Sequence, residues 1–223
     1  MTDDMQPYGR WRPWHPRKVA AFFAELDAPW WIAGGWAIDL FLGRQTREHE
    51  DIDVQVLRRD QHAVRALLGA WDAQAALPPP RDETWPFRPW RRDEALDLAI
   101  HDVWCRPTAI EPWALQLMIG DTDGEQWQFR RMPTIGRPIE TIGGITLEGI
   151  PSLAPEIQLL YKAKGCRPKD EADFTHTLPA LDGDRRQWLR NALTMAHPDH
   201  PWLKQFSESE EHMAYVQERK GGH

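Results

Sequence analysis

Two aspartates two residues apart, Asp51 and Asp53, and a pair of glycines, Gly34-Gly35, are the residues whose types and spacing point to chemistry. Asp51-Ile52-Asp53-Val54-Gln55-Val56 alternates polar and apolar residues over a strand's length, so the two carboxylates project from one face. Carboxylates held side by side repel each other unless a cation neutralises them. Mg²⁺ suits such a pair, because it takes one or two carboxylates and fills the rest of its shell with phosphate and water. The pair would hold one or two ions against a nucleoside triphosphate, stabilising the attacking and leaving oxygens of an in-line displacement. A solvated strand end accounts for an isolated Asp-x-Asp equally well.

Gly34-Gly35 stands between an apolar run, Trp30 to Ala33, and a short helical pattern, Trp36 to Leu42. Glycines let backbone N–H groups approach phosphate oxygens, and a helix N-terminus adds favourable partial charge. A tight turn needing positive φ would use the same residues. The order strand, Gly-Gly, helix, Asp-x-Asp strand sets the glycine turn beside the carboxylates, one for phosphate and the other for metal.

The elements that must position these residues follow from periodicity. His15 to Leu26 is apolar at helical spacing, Gly43 is a C-cap for the short helix, and Asp60 to Leu68 is a second helix with Asp60 as its N-cap. Trp71 onward reads as a weaker strand. Pro78 to Arg92 is a loop-rich insertion carrying Trp85, Phe87 and Trp90. Strands are expected over Leu96 to Cys105, Trp113 to Ile119 and Trp127 to Arg131, with a hairpin at Asp123-Gly124, and a further one over Ile139 to Leu147. Helical patterns follow over Glu156 to Ala163, Asp170 to Thr177 and Asp184 to Ala196. The expected architecture is α+β: a mixed sheet flanked by helices over residues 1–150, a small helical region over 151–206, and a polar tail over 207–223.

The segment from Trp31-Ile32-Ala33-Gly34-Gly35-Trp36-Ala37-Ile38-Asp39 through Gly43-Arg44-Gln45-Thr46-Arg47-Glu48-His49-Glu50-Asp51-Ile52-Asp53 closely resembles aminoglycoside 2″-adenylyltransferases and their relatives. These belong to the DNA polymerase β-like nucleotidyltransferase superfamily. The resemblance is dense over about the first quarter of the chain. It implies a nucleotidyltransferase fold, Mg²⁺, and ATP as co-substrate. Asp51 and Asp53 match the metal-binding carboxylates, and Gly34 and Gly35 the phosphate-contacting turn. Arg47 and His49 match a basic step that touches phosphate or braces the acidic strand. Lys162 and Lys169, in Leu160 to Lys164 and Arg167-Pro168-Lys169-Asp170, look like helical residues that lie near the nucleotide; a solvated helix face is the alternative.

The superfamily carries a third carboxylate on a neighbouring strand, as metal ligand or as general base for the acceptor hydroxyl. Here the aligned position is Gln116, whose amide can ligate a metal but is no base near neutral pH. Asp97, Asp102 and Glu111 are the acids that could stand in. Asp102 is favoured, with His101 either a base or a structural histidine. Asp39, one turn into the short helix, reads as a surface or capping residue.

The implied reaction transfers a nucleoside monophosphate, AMP from ATP, to a hydroxyl of a small molecule such as an aminoglycoside-like antibiotic. The alternative is a degenerate nucleotide- or metal-binding module of the same fold. A net charge of −7 over 223 residues, with no basic run, argues against a nucleic-acid partner. Cys105 and Cys166 have no zinc spacing, there is no signal-like segment, and no apolar run would span a bilayer. A cytoplasmic protein without a membrane partner is therefore expected. Thirteen tryptophans suit a core of large flat side chains more than walls around a planar ligand.

Overall fold

The computed structural model describes residues 9–78 and 87–206, so the expected tail and Trp85 lie outside the described residues. The chain divides into two units, Met1–Ala154 and Pro155–His223.

The first unit is an α+β fold. Helix α1 spans Pro16–Phe23. It starts where Pro16 supplies a helical φ and where His15 Nδ1 accepts from the Arg17 N–H. Strand β1 (Trp30–Ala33) runs straight into α2 (Gly34–Leu42), which Gly43 ends in the left-handed conformation at φ +66°. Strand β2 is Asp53–Leu57, and α3 (Gln61–Leu68) follows a single 3-10 turn, Arg58–Asp60. Asp60 is the N-cap of α3 by position, but its side chain makes no capping hydrogen bond. Strands β3 (Asp72–Ala76), β4 (Phe87–Pro89), β5 (Asp102–Arg106), β6 (Leu115–Asp123), β7 (Gln126–Gln128), β8 (Gly136–Pro138), β9 (Gly143–Ile145) and β10 (Pro151–Leu153) complete the unit.

The sheet order is β4-β3-β5-β6-β2-β1-β10-β9, with β7 and β8 added at the far end of β6. It is mixed: β2 runs parallel to β6, and β1 parallel to β10, while the other pairs are antiparallel. Alternation sets its two faces apart. Ile32, Val54, Val56, Val103, Leu115 and Leu117 share one buried cluster with Val19 and Phe23 of α1 and Val64 and Leu68 of α3. The residues between them, Asp53, Gln116, Met118, Asp102 and Trp104, point to the other face and are only partly buried. A one-residue slip of β2 would bury Asp53 and expose Val54 and Val56. Each such valine contributes about 1.5–3 kcal/mol by burial, so this register is strongly held.

Several sequence expectations change. Strand β2 begins at Asp53, so Asp51 precedes the strand instead of sharing its face; the strand expected over Trp127 to Arg131 ends at Gln128; and Ile139–Thr141 is a 3-10 turn, with strand only over Gly143–Ile145. Residues 96–101 are not strand: Leu96 and Ile100 plug into the core while Asp97 and Leu98 between them are exposed, and β5 begins only at Asp102. Pro151–Leu153, at the head of the expected helical region, is a strand paired to both β1 and β9.

The second unit packs α4 (Pro155–Lys162), α5 (Pro168–Thr177) and α6 (Gly183–Ala196) around Leu159, Leu160, Phe174, Leu189 and Leu193. Phe174 stacks on Trp202 with ring centroids 4.1 Å apart. Asp182 caps α6 by accepting from the Arg185 N–H, and Asp170 accepts from the Arg167 N–H at the start of α5. Among the described residues no helix is long and apolar enough to cross a membrane.

Candidate active site

The sequence brings Ala33, at the end of β1, opposite Asp53, at the start of β2. Gly34 therefore turns directly over the Asp53 carboxylate. Its φ is +67°, and a Cβ there would fall inside contact distance of Asp53 Oδ2. Only glycine supplies both the backbone angle and the space. Ala33, the N-cap of α2, has no side chain that can cap the helix.

Gly35 makes a second close approach. A Cβ at this position would collide with the Arg47 guanidinium and stand 2.6 Å from His49 Nδ1. The loop leading into β2 is thereby laid across the start of α2. Asp39, in the second turn of α2, holds it there: Thr46 N–H donates to Asp39 Oδ1 at 3.0 Å, Thr46 Oγ1 donates to the same oxygen, and His49 Nε2 lies 2.5 Å from Oδ2. Trp36 covers the imidazole, with ring centroids 4.4 Å apart. Asp39 is thus buried and fully engaged, not the surface or capping residue its sequence position suggested.

On the other side of β2, Asp53 pairs in register with Gln116 of β6. Gln116 Nε2 donates to Asp102 Oδ1 at 3.0 Å, and Arg130 Nη1 lies 3.7 Å from the other Asp102 oxygen. Asp102 sits one strand further out, opposite Met118. Among the described residues no three of His, Cys, Asp and Glu gather into a metal-holding group. Asp53 and Gln116 are the oxygen-bearing side chains that the β2–β6 register sets side by side here. Carboxylate and amide oxygens suit an ion that completes its shell with phosphate and water.

Asp97 and Glu111 are both exposed and outside strands, so neither stands in for the third carboxylate. His101 faces Asp121 at 3.9 Å and Arg58 at 3.5 Å. Burial, then the positive charges of Arg130 and Arg58, hold its pKa below the usual imidazole value against the pull of Asp121 and Asp102. In the second unit, the Lys162 ammonium is buried 2.7 Å from Asp173 Oδ2 and 3.4 Å from Asp170 Oδ1, which ties α4 to α5. Lys169, one residue before Asp170, is half-buried. Both thiols are free, and Cys105 is buried in the core with its pKa raised by that burial.

Comparison with known proteins matches part of the chain to a known family. Residues 17–102 match the model described as Aminoglycoside-2''-adenylyltransferase. Over this segment the chain is aminoglycoside 2″-adenylyltransferase-like. A 2''-aminoglycoside nucleotidyltransferase of Escherichia coli is 38% identical over 90 residues, which cover 37% of this chain and 51% of the relative. A lincosamide resistance protein of Staphylococcus haemolyticus is 44% identical over 36 residues, 16% of this chain and 22% of that one. The chain thus spans about half the length of the curated 2″-aminoglycoside relatives it matches. Among solved structures, ANT(2")-Ia in complex with adenylyl-2"-tobramycin aligns with a TM-score of 0.50 at 19% identity, covering 80% of this chain and 94% of that one. This likeness is one of fold.

The adenylyltransferase-like segment contains Gly34, Gly35, Arg47, His49, Asp51, Asp53 and Asp102. Sequence reasoning missed Asp39, Thr46 and Trp36 as parts of the same framework. A lone acid inside an otherwise apolar helix, Ala37 to Leu42, was the available signal.

Proposed function

We propose that this chain is a nucleotidyltransferase that transfers AMP from ATP to a hydroxyl of a small molecule, an aminoglycoside-like antibiotic by class, with release of pyrophosphate. The observation that carries the reading is the closure of Gly34 over Asp53 at the start of α2, within the segment that matches the adenylyltransferase family. Asp51 and Asp53 would hold Mg²⁺, which shields the phosphate charge while the oxygens exchange. Gly34 and Gly35 would offer backbone N–H groups to the phosphates. Arg47, drawn against Gly35, would lie beside those phosphates, and His49 would brace the loop through Asp39. In the second unit, Lys162 would act structurally, by fixing Asp170 and Asp173.

In the transfer, the acceptor hydroxyl oxygen forms a bond to the α-phosphorus. The bond from that phosphorus to the bridging oxygen breaks, and its electron pair leaves with pyrophosphate. The hydroxyl proton passes to water. Positioning and charge stabilisation supply most of the rate in such reactions, so an amide at position 116 slows transfer without forbidding it.

A second reading, a binding module without catalysis, is favoured by the amide opposite Asp53 and by the distance of Asp102 from it. Pyrophosphate release from Mg–ATP, measured with aminoglycosides and lincosamides as acceptor probes, separates the two. Acceptor-dependent release that disappears in Asp53→Asn supports the transferase. Nucleotide binding without release under any acceptor supports the module.

A further inference from the structure

Gln116 and Asp53 are register partners on adjacent parallel strands and project from the same face. Neighbouring strands lie about 4.8 Å apart. Two oxygens bound to one Mg²⁺, each about 2.1 Å from it, stand about 3 Å from each other. Side chains of this length therefore converge easily on one ion. Asp102 does not meet that condition. It pairs with Met118, one strand further and two residues along, which puts its Cα about 12 Å from that of Asp53 at ~4.8 Å per strand and ~3.3 Å per residue.

The hydrogen bond between Gln116 and Asp102 decides which way the amide faces. A carboxylate only accepts, so the edge of Gln116 that meets Asp102 Oδ1 at 3.0 Å carries the NH₂ group. Arg130 stands on the other Asp102 oxygen. The amide oxygen is left on the edge away from Asp102, and no described residue donates to it.

We infer that Gln116 Oε1 is a neutral oxygen ligand to the cation held by Asp53, and that Asp102 is the positioning residue that turns the amide to present it. This rests on the nucleotidyltransferase reading above. The shell then carries one negative charge fewer than a three-carboxylate site. Cation and nucleotide accordingly bind together, because the phosphates supply the missing charge.

The test measures the Mn²⁺ and Mg²⁺ dependence of binding of α,β-methylene-ATP by calorimetry, with the full chain and with Gln116→Leu, Asp102→Asn, the double variant and Asp53→Asn. Loss of the oxygen in Gln116→Leu is expected to weaken apparent cation affinity roughly tenfold, within the range for loss of a metal-site partner. Asp102→Asn is expected to weaken it severalfold, since its amide no longer dictates the sense of Gln116. In the Gln116→Leu background, Asp102→Asn should change nothing further, because Asp102 acts only through Gln116. Unchanged cation affinity in Gln116→Leu, or additive effects in the double variant, overturns the inference. If Asp53→Asn abolishes cation-dependent binding while Gln116→Leu leaves it intact, the parent reading stands and the inference alone falls. If the native chain binds neither cation nor nucleotide, both fall.

Discussion

His49 Nε2 lies 2.5 Å from Asp39 Oδ2, and both side chains are buried beneath the loop that leads into β2. This pair, with Thr46 on the second carboxylate oxygen, ties α2 to the strand that carries Asp53. Removing one partner of a buried pair leaves the other without compensation, at a cost of about 3 kcal/mol. Asp39→Ala is expected to lower unfolding stability by roughly that amount in urea titration. Asp39→Asn, which still accepts from Thr46, should lose less.

Gly34 and Gly43 share nearly the same positive φ, +67° and +66°, but differ in surroundings. A Cβ at Gly34 would meet the Asp53 carboxylate, whereas nothing lies within 4 Å of one at Gly43. Gly43→Ala is expected to cost about 1–2 kcal/mol through backbone strain alone and to leave Mg–ATP binding intact. Gly34→Ala should show the same strain and also lose nucleotide binding. Denaturation and nucleotide titration of the two variants separate backbone from site effects.

His101 gives stability a pH dependence of known sign. Its folded pKa lies below the ordinary value of 6.5, first through burial and then through Arg130, with Arg58 adding to it against Asp121 and Asp102. Below pH 6.5 the unfolded chain takes up a proton that the folded chain resists. Stability attributable to this group therefore falls as pH drops below 6.5, until the folded imidazole protonates too. His101→Asn is expected to flatten that part of the stability–pH profile, and thermal unfolding at intervals below pH 6.5 checks it.

Lys162 supplies the buried cation for Asp170 and Asp173 in the second unit. Lys162→Met should destabilise the chain by about 3–5 kcal/mol, since it leaves carboxylates buried without their partner. Lys169→Met should leave stability nearly unchanged. Chemical denaturation of both variants distinguishes the two lysines.

The central segment was legible because each element carries its own punctuation. Trp30 to Ala33 is wholly apolar and stops at Gly34-Gly35, Gly43 ends the helix, and the alternation from Asp53 sets the face of β2. Strands β4, β8 and β10 were not, since three residues show no period and each contains a proline, which ordinarily argues against a strand. The site's supporting contacts were hidden for a different reason. Asp39 meets His49 ten residues on, and Gln116 meets Asp102 across a strand register, and neither separation leaves a periodic trace. The same register explains why Asp102 could be singled out by type and yet stand two strands away from Asp53.

The most direct test of the site is thermal stabilisation by ATP, with and without Mg²⁺, for the native chain and for Asp53→Asn. A ligand that binds only the folded state at one hundred times its Kd stabilises by about 2.7 kcal/mol, which is readily measured. A Mg²⁺-dependent rise in Tm with ATP, abolished in Asp53→Asn, is the expected result. No rise with any nucleoside triphosphate at millimolar concentration, or an equal rise in Asp53→Asn, would contradict it.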